Sequence, residues 1–441
     1  MIDLKLLIEK GISLGFDDIE IIEKSSKSLE ISLFNSRVDQ NVLSENNSIA
    51  IRAMYNGKMA NMNVENFDAD LDSILKRLMD CALSIESDEK NELYAGSESY
   101  PEVELNNFNF DEIPTAKKIE LLLEIEKKCK ELDNRVVAIS NCFYEEANGK
   151  YHIINSKGLD VVKYNKYCVA GVGVVARDNG DTQNAYHMLA KNSFYELDIN
   201  EICAKAVEKA VAKFGASPVK SEKYKVIFEN GAMSSMLGAF SSIFTGITAM
   251  KRITPLLGKE NQQVFSEKIN IIDNPLLEEA IIKQPFDDEG VACYSKKVIE
   301  NGVLKTFLYD LKTAKFFNTK STGNGFSGGR GIMSSGYNLF IENGKKSKEE
   351  LIASLDKGLL ITGLDGLHAG VDSISGNFSV KANGFYIENG QIVRPVTLIV
   401  ISGNFIQMMN DVIEVANDLE VTARSVFAPS ILFNDLSISG E

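Results

Sequence analysis

DIEIIEKSSKSLEISLFNSRVDQNVLSENNSIAIRAMYNGKMANMN, residues 18–63, decides the fold class. Apolar and polar residues alternate in short runs, the signature of half-buried strands, and turn residues interrupt them repeatedly. Asn56-Gly57 marks a two-residue hairpin, because a type I′ turn needs φ > 0 at both central positions. Helical spacing brackets this block. Leu4, Leu7, Ile8 and Ile12 predict a short amphipathic helix over 3–15. Leu71, Ile74, Leu75, Leu78 and Met79 share one face of a second, over 68–86.

The same order then recurs. PTAKKIELLLEIEKKCKEL, residues 114–132, predicts a helix with Pro114 near its start and many good helix formers. A second strand-like run follows, punctuated by Asn148-Gly149 and Asn179-Gly180, and then a helix near 198–214. FNSRVDQ near residue 34 and INSKGLD near residue 154 hold similar places in the two blocks. Residues 1–215 therefore read as an N-terminal α+β domain of two related helix–sheet–helix units, a repeat of 1–90 and 110–215. GASPVKSEKY, residues 215–224, reads as a linker.

Residues 222–441 read as a strand-rich C-terminal domain with hairpins and a few helices. Phe228-Glu-Asn-Gly231, Ile299-Glu-Asn-Gly302, Ile341-Glu-Asn-Gly344 and Ile387-Glu-Asn-Gly390 each carry an Asn-Gly pair, and the last three follow apolar runs and predict hairpins. Helices are expected at 232–246, 347–358 and 404–418. Regular βαβ alternation is missing, so the whole chain is assigned to the α+β class.

Composition narrows the function. With 47 Lys and Arg against 62 Asp and Glu, the 441 residues carry a net charge of −15. That balance argues against an extended nucleic-acid or anionic-membrane surface, which needs clustered cations. A hydrophobic content of 44% fits a globular chain with a sizeable core. The N-terminus lacks the basic start and apolar run of a signal peptide, and no apolar run approaches the ~18 residues that span a bilayer, so a cytoplasmic location is expected. Cys81, Cys129, Cys142, Cys168, Cys203 and Cys293 are far apart, with no C-x-x-C, and most read as buried small hydrophobes.

Chemistry-bearing motifs are few. Gly323-Asn-Gly325-Phe-Ser-Gly328 fits G-x-G-x-x-G, but a dinucleotide site needs that loop between a strand and a helix N-terminus. Here a helix is expected before it and a strand after it, which favours a tightly turned glycine loop. Of three histidines, His152 and His187 lie in strand-like runs, while His368, in GLHAGVDSISGNFS, is the best functional candidate, although no partner base is visible. Asp287-Asp288-Glu289-Gly290 is a tight acidic cluster that could hold a cation or place a general acid or base. Adjacent residues diverge on any regular element, so a turn with a solvated face is the favoured reading.

A series of ordered motifs resembles a known family. PFDDEGVACYSKKVIENGVLKTFLYDLKTAKFF at 285–317 is followed by STGNG at 321–325, GVDSISGNFSVKANGFYIENGQIVRPV at 370–396 and ISGNF at 401–405. The series resembles the TldD/PmbA family, the modulator of DNA gyrase and microcin-maturation proteases, over nearly the whole chain. The resemblance implies two subunit types. A TldD-type subunit carries zinc on a His-Glu-x-x-x-His helix, with a Cys near the C-terminus as a further ligand and the Glu activating the metal's water. A PmbA/TldE-type partner lacks that motif, and the heterodimer degrades unfolded peptides and trims leader peptides.

Where the zinc helix is due, this chain reads NGAMSSMLGAFSSIFTG at 230–246, with no His and only Glu229 just ahead. Its C-terminal DLEVTARSVFAPSILFNDLSISGE, residues 418–441, has no Cys. The resemblance therefore points to the PmbA/TldE-type subunit. No cofactor is expected in this chain, no catalytic residue carries over, and zinc is expected only in a TldD-type partner. Asp287, Asp288, Asn324, Gly325 and His368 are candidates for lining a peptide cavity at the dimer interface, where an extended substrate could add to a sheet edge. A metal-free homodimeric peptide-binding or scaffold protein is the alternative. A hydrolase using the acidic cluster with His368 is the third reading. The gyrase label suggests DNA, but the net charge of −15 opposes direct contact.

Overall fold

Tight asparagine turns fold the N-terminal chain into one antiparallel sheet. In the computed structural model, residues 3–64, 70–86, 92–328 and 331–441 are described. Helix α1 (Leu4–Ser13), capped by the Asp3 side chain, leads into strands β1 (Asp18–Phe34), β2 (Arg37–Tyr55) and β3 (Lys58–Val64), then α2 (Leu71–Leu83). Helix α3 (Thr115–Leu132) leads into β4 (Val136–Asn155), β5 (Asp160–Asp178) and β6 (Asp181–Lys191), then α4 (Ile199–Val211). The sheet order is β3-β2-β1-β4-β5-β6, with β1 and β4 paired antiparallel at its centre. Asn56-Gly57 (φ 49°, 73°) and Asn179-Gly180 (φ 45°, 88°) make the outer hairpin turns.

One sheet face is covered by helices. Ile19, Ile21, Ile49 and Ile51 pack under α1 and α2, and Cys142, Tyr144, Ala170 and Val172 pack under α3 and α4. Alternation turns Ile22 and Ile153 to the other face, where they meet Leu159 and, from the second half of the chain, Phe286. Five of the six cysteines are buried, while Cys81 is exposed. Asn148-Gly149 is not a turn. It lies inside β4, opposite Lys27 and Ser26, and a Cβ on Gly149 would sit 2.1 Å from Asn165 Oδ1.

The second half opens with β7 (Glu222–Phe228), α5 (Asn230–Phe240) and the short α6 (Gly246–Met250). Next come β8 (Ile271–Asp273), β9 (Lys296–Glu300), β10 (Val303–Leu304), α7 (Leu311–Phe316), β11 (Gly325–Gly328), β12 (Gly331–Ser334) and β13 (Leu339–Ile341). Then follow α8 (Lys348–Ala353), β14 (Lys357–Asp365), α9 (Leu367–Gly370), β15 (Val371–Asp372), β16 (Asn377–Glu388) and β17 (Gln391–Asn404). The chain closes with α10 (Phe405–Asn410), β18 (Val412–Val415), β19 (Val426–Phe427) and β20 (Ile431–Ser439). Strands β14-β7-β20-β17-β16 are hydrogen-bonded in that order, and β16 pairs back to β14, so this sheet closes on itself. Closure removes the two open edges such a sheet would otherwise present. A smaller sheet runs β10-β9-β8-β13-β19. The α+β class holds for the whole chain. Among the described residues no helix is long and apolar enough to cross a membrane.

Several local expectations need correction. The helices expected at 347–358 and 404–418 are shorter, because β14 starts at Lys357 and β-branched Val412 and Val415 pair with β20 instead. Asn301-Gly302 and Asn389-Gly390 are hairpin turns, but Asn343-Gly344 is not. A Cβ on Gly344 would lie 1.9 Å from the Val415 carbonyl oxygen, so this glycine serves a close backbone approach.

Candidate functional site at the acidic turn and the α5 face

The acidic cluster is a turn, as expected, but its face is not solvated. Asp287 is fully buried and accepts three backbone N–H bonds, from Glu289 and Val291 on Oδ1 (both 3.0 Å) and from Gly325 on Oδ2 (2.8 Å). Burial still pushes its carboxyl up to about 6. Asp288 accepts from Lys163 Nζ at 2.8 Å and from the Ser327 N–H at 2.8 Å. Burial opposes its charge, but the Lys163 ammonium wins and holds it below the usual carboxylate range. Glu289 accepts from the Leu311 N–H at 2.7 Å. Burial and then the neighbouring Asp287 charge push it up to about 8.

This turn is clasped by the N-terminal sheet. Lys163, on β5, also donates to the Phe286 carbonyl at 3.0 Å and lies over the rings of Tyr151 and Phe286. Tyr151 donates to the Asp288 carbonyl at 3.1 Å, and Tyr100 donates to the Gly290 carbonyl at 2.8 Å. Ser97 Oγ accepts the Ala292 N–H at 2.9 Å. Leu159 leaves no room for a side chain at Gly290, whose φ is +84°.

Asn324 stands behind the turn in a closed network. Its Nδ2 donates to Asp273 Oδ2 (2.8 Å) and the Ser335 carbonyl (2.9 Å), and its Oδ1 accepts from Lys296 Nζ (2.9 Å) and Thr322 Oγ1 (2.7 Å). Lys296 completes the triangle with Asp273 Oδ2 at 3.1 Å. The glycine loop serves this packing, since a Cβ on Gly323 would meet the Ala292 carbonyl at 2.7 Å and one on Gly325 the Glu289 carboxyl at 2.4 Å. Asp287, Asp288, Asn324 and Gly325 are thus brought together, with their polar atoms engaged inside the protein. His368 is exposed on α9, which packs against α5 and β16 rather than this turn. Of the other histidines, His152 bonds Asp160 at 2.8 Å. His187 has a buried Nε2 without a hydrogen bond, and burial lowers it to about 4.

Helix α5 lies in the stretch where the resemblance places the zinc helix, and the C-terminal segment folds across it. Ser234 Oγ accepts the Ala428 N–H at 2.8 Å, and Arg424 donates to Ser235 Oγ at 3.0 Å. The Asn230 N–H donates to Ser430 Oγ at 3.1 Å, and Ser430 Oγ donates to Asp418 at 2.7 Å. Glu229, the acidic residue just ahead, is paired with Lys348 at 2.8 Å. Serine hydroxyls, an amide and a guanidinium do not suit zinc, which takes thiolate, imidazole or carboxylate. Among the described residues no group of three or more His, Cys, Asp or Glu is placed to hold a metal ion.

The sequence had not singled out Lys163, Tyr151, Tyr100, Lys296 or Arg424. For Lys163 a signal existed, because it alternates with Val161, Asn165 and Tyr167 on one face of a strand.

Comparison with known proteins agrees with this layout. The PmbA/TldA metallopeptidase family matches in three consecutive parts, domain 1 at residues 19–82, the central domain at 108–214 and the C-terminal domain at 221–440. A metalloprotease PmbA homolog from Buchnera aphidicola (subsp. Acyrthosiphon pisum) is 26% identical over 432 residues, covering 96% of this chain and 93% of its own. The metalloprotease PmbA of Escherichia coli O157:H7 is 27% identical over 343 residues, 77% of this chain and 73% of its own. A crystal structure of a putative modulator of a DNA gyrase from Thermotoga maritima superposes with a TM-score of 0.90 at 30% identity, covering 99% of each chain. TldE from Thermococcus kodakarensis superposes with a TM-score of 0.88 at 26% identity, covering 99% of this chain and 100% of that one. With its ordered motifs, closed C-terminal sheet and three matched domains, the chain belongs to the PmbA/TldD family of metallopeptidase-like proteins.

Proposed function

We propose that this chain is the PmbA/TldE-like, non-catalytic subunit of a TldD-type zinc metallopeptidase that degrades unfolded peptides and trims leader peptides. One observation carries the reading. The two segments that would supply the metal ligands are folded against each other here, yet their contacts are made by Asn230, Ser234, Ser235 and Arg424. The junction is kept and its chemistry is replaced. Zinc and its activated water belong to the partner. Of the five candidate lining residues, His368 has the exposed side chain, while Asp287, Asp288, Asn324 and Gly325 are packed into the acidic turn, away from α9.

The test is co-expression with a TldD-type paralogue from the same cell. A co-purifying heterodimer whose peptide cleavage needs the zinc subunit is expected, with zinc well below one atom per chain in this subunit alone. Replacement of His368 by Ala should weaken cleavage by the pair and leave assembly intact. Stoichiometric zinc in the isolated chain would overturn the reading. Chelator-resistant cleavage by the isolated chain, lost in His368→Ala, would move it to the hydrolase reading. Self-association without cleavage or zinc-bearing partner would move it to the metal-free homodimer.

A further inference from the structure

Strand β5 is paired with β4 from Asp160 to Ala176, but β6 joins it only from Cys168 onward. Residues 160–167 therefore border an open sheet edge. The Lys166 carbonyl points off that edge, where it accepts from Asn106 Nδ2 at 3.0 Å. Peptide groups alternate sides along a strand, so those of Tyr164 and Val162 point the same way. Among the described residues no strand covers them. Residues 101–105 run alongside without ladder pairing, and a cavity of about 310 Å³ lies between the two segments.

The lining of this cavity selects a ligand. Pro101, Val103 and Leu105 present alternate side chains to it, and Pro285 and Phe286 close it at the acidic turn. Two of the charged groups on its wall are already matched. Asp160 is bonded by His152 and Lys5, and Lys163 by Asp288. Lys283 lines the same cavity, and among the described residues no ion pair or hydrogen bond engages its ammonium. The volume is close to the ~300 Å³ lower limit of ligand pockets, enough for a short stretch of chain.

We propose that the open edge of β5 at Asp160–Tyr164 is a docking site for an extended peptide, which adds as a strand, fills the cavity with an apolar side chain and places a carboxylate on Lys283. Main-chain bonds supply sequence-tolerant affinity, and the lysine supplies a preference for an acidic residue or a C-terminal carboxylate. The site is separate from the α5 face. It deepens the proposed role in peptide turnover and rests on that role only for the source of the peptide.

Binding is measured by fluorescence anisotropy on the isolated full chain, without any zinc subunit. The probe is a labelled, unstructured peptide with an apolar residue near a free C-terminal carboxylate. Amidation of that terminus and Lys283→Glu should each weaken binding about three- to tenfold, and the variant should no longer distinguish the acid from the amide. N-methylation of alternate peptide nitrogens should abolish binding in one register and spare it in the other. Equal affinity for both N-methylated registers, or an acid-over-amide preference that survives Lys283→Glu, would overturn the proposal. A heterodimer that fails to form would sink the proposed function and leave this result standing. A heterodimer that forms and cleaves while these peptide effects are absent would do the reverse.

Discussion

Replacing Lys163 with Met should loosen the clasp between the N-terminal sheet and the acidic turn without emptying the space. Met keeps most of the aliphatic stem and removes the ammonium. Lys163 and Asp288 side chains are 9% and 14% exposed, so their 2.8 Å pair is effectively buried. Removing one partner of such a pair costs ~3–5 kcal/mol, because the other charge is left uncompensated. Asp288 keeps its bond from the Ser327 N–H, which places the cost at the lower end, about 3 kcal/mol. That is roughly a 100-fold rise in the local opening equilibrium. Hydrogen exchange reads it directly at the Gly325 and Val291 amides, which donate to Asp287 behind the clasp. Asp288→Asn removes the orphaned charge, so the double variant should be less destabilised than the sum of the singles by about 1–2 kcal/mol. Exchange at these amides within threefold of wild type, or additive single effects, would refute the clasp.

Glu289, raised to about 8 by burial and by Asp287, makes the folded state bind more protons than the unfolded chain between pH 4.5 and 8. Stability should be full below that window and fall through it, by at most ~5 kcal/mol, and Glu289→Gln should flatten the part above pH 6 in denaturant titrations at stepped pH. Asp288, held low, acts with the opposite sign, and its contribution should be lost only in acid. Asn324→Asp sets a second carboxylate against Asp273 with Lys296 alone to balance both, so a loss of ~2–4 kcal/mol is expected by thermal unfolding, with partial recovery as pH falls. Gly344→Ala drives a Cβ into the Val415 carbonyl, a backbone atom that cannot swing aside, and should cost at least ~2 kcal/mol or abolish soluble expression.

Local signals were legible and non-local ones were not. Asn56-Gly57, Asn179-Gly180, Asn301-Gly302 and Asn389-Gly390 are hairpin turns because the turn chemistry lies in the two residues themselves. Asn148-Gly149 and Asn343-Gly344 look identical in sequence. Their glycines answer to Asn165 and to the Val415 carbonyl, which only the folded chain brings near. The acidic turn shows the same divide. Three adjacent carboxylates suggest solvent, yet the partner that lets Asp288 be buried is Lys163, 125 residues upstream. That the α5 stretch and the C-terminal segment carry serine and arginine rather than imidazole or thiolate is read from residue types alone, because no fold can turn a serine or an arginine into a thiolate.

The α5 face shows how the chain's own side chains hold this junction. A metal ion bound between a helix and a distant segment acts as a cross-link, and its loss would leave that junction with little to hold it. Here the hydroxyls are fully committed to that task. Ser234 Oγ donates to the Asn230 carbonyl within α5 and accepts from Ala428, while Ser235 Oγ donates to the Gly231 carbonyl and accepts from Arg424. Each serine therefore uses its one proton on its own helix and its lone pairs on the crossing segment. Asp418 anchors the far end through both the N–H and the hydroxyl of Ser430. Neutral hydrogen bonds contribute ~1 kcal/mol each, so several together can fix the junction that a metal would otherwise clamp. The arrangement leaves a positively charged Arg424 on the face, which disfavours a divalent cation there by simple repulsion. Placing a metal at this junction would thus require more than adding ligands, because the hydrogen bonds holding the segment and the guanidinium beside it would both have to go.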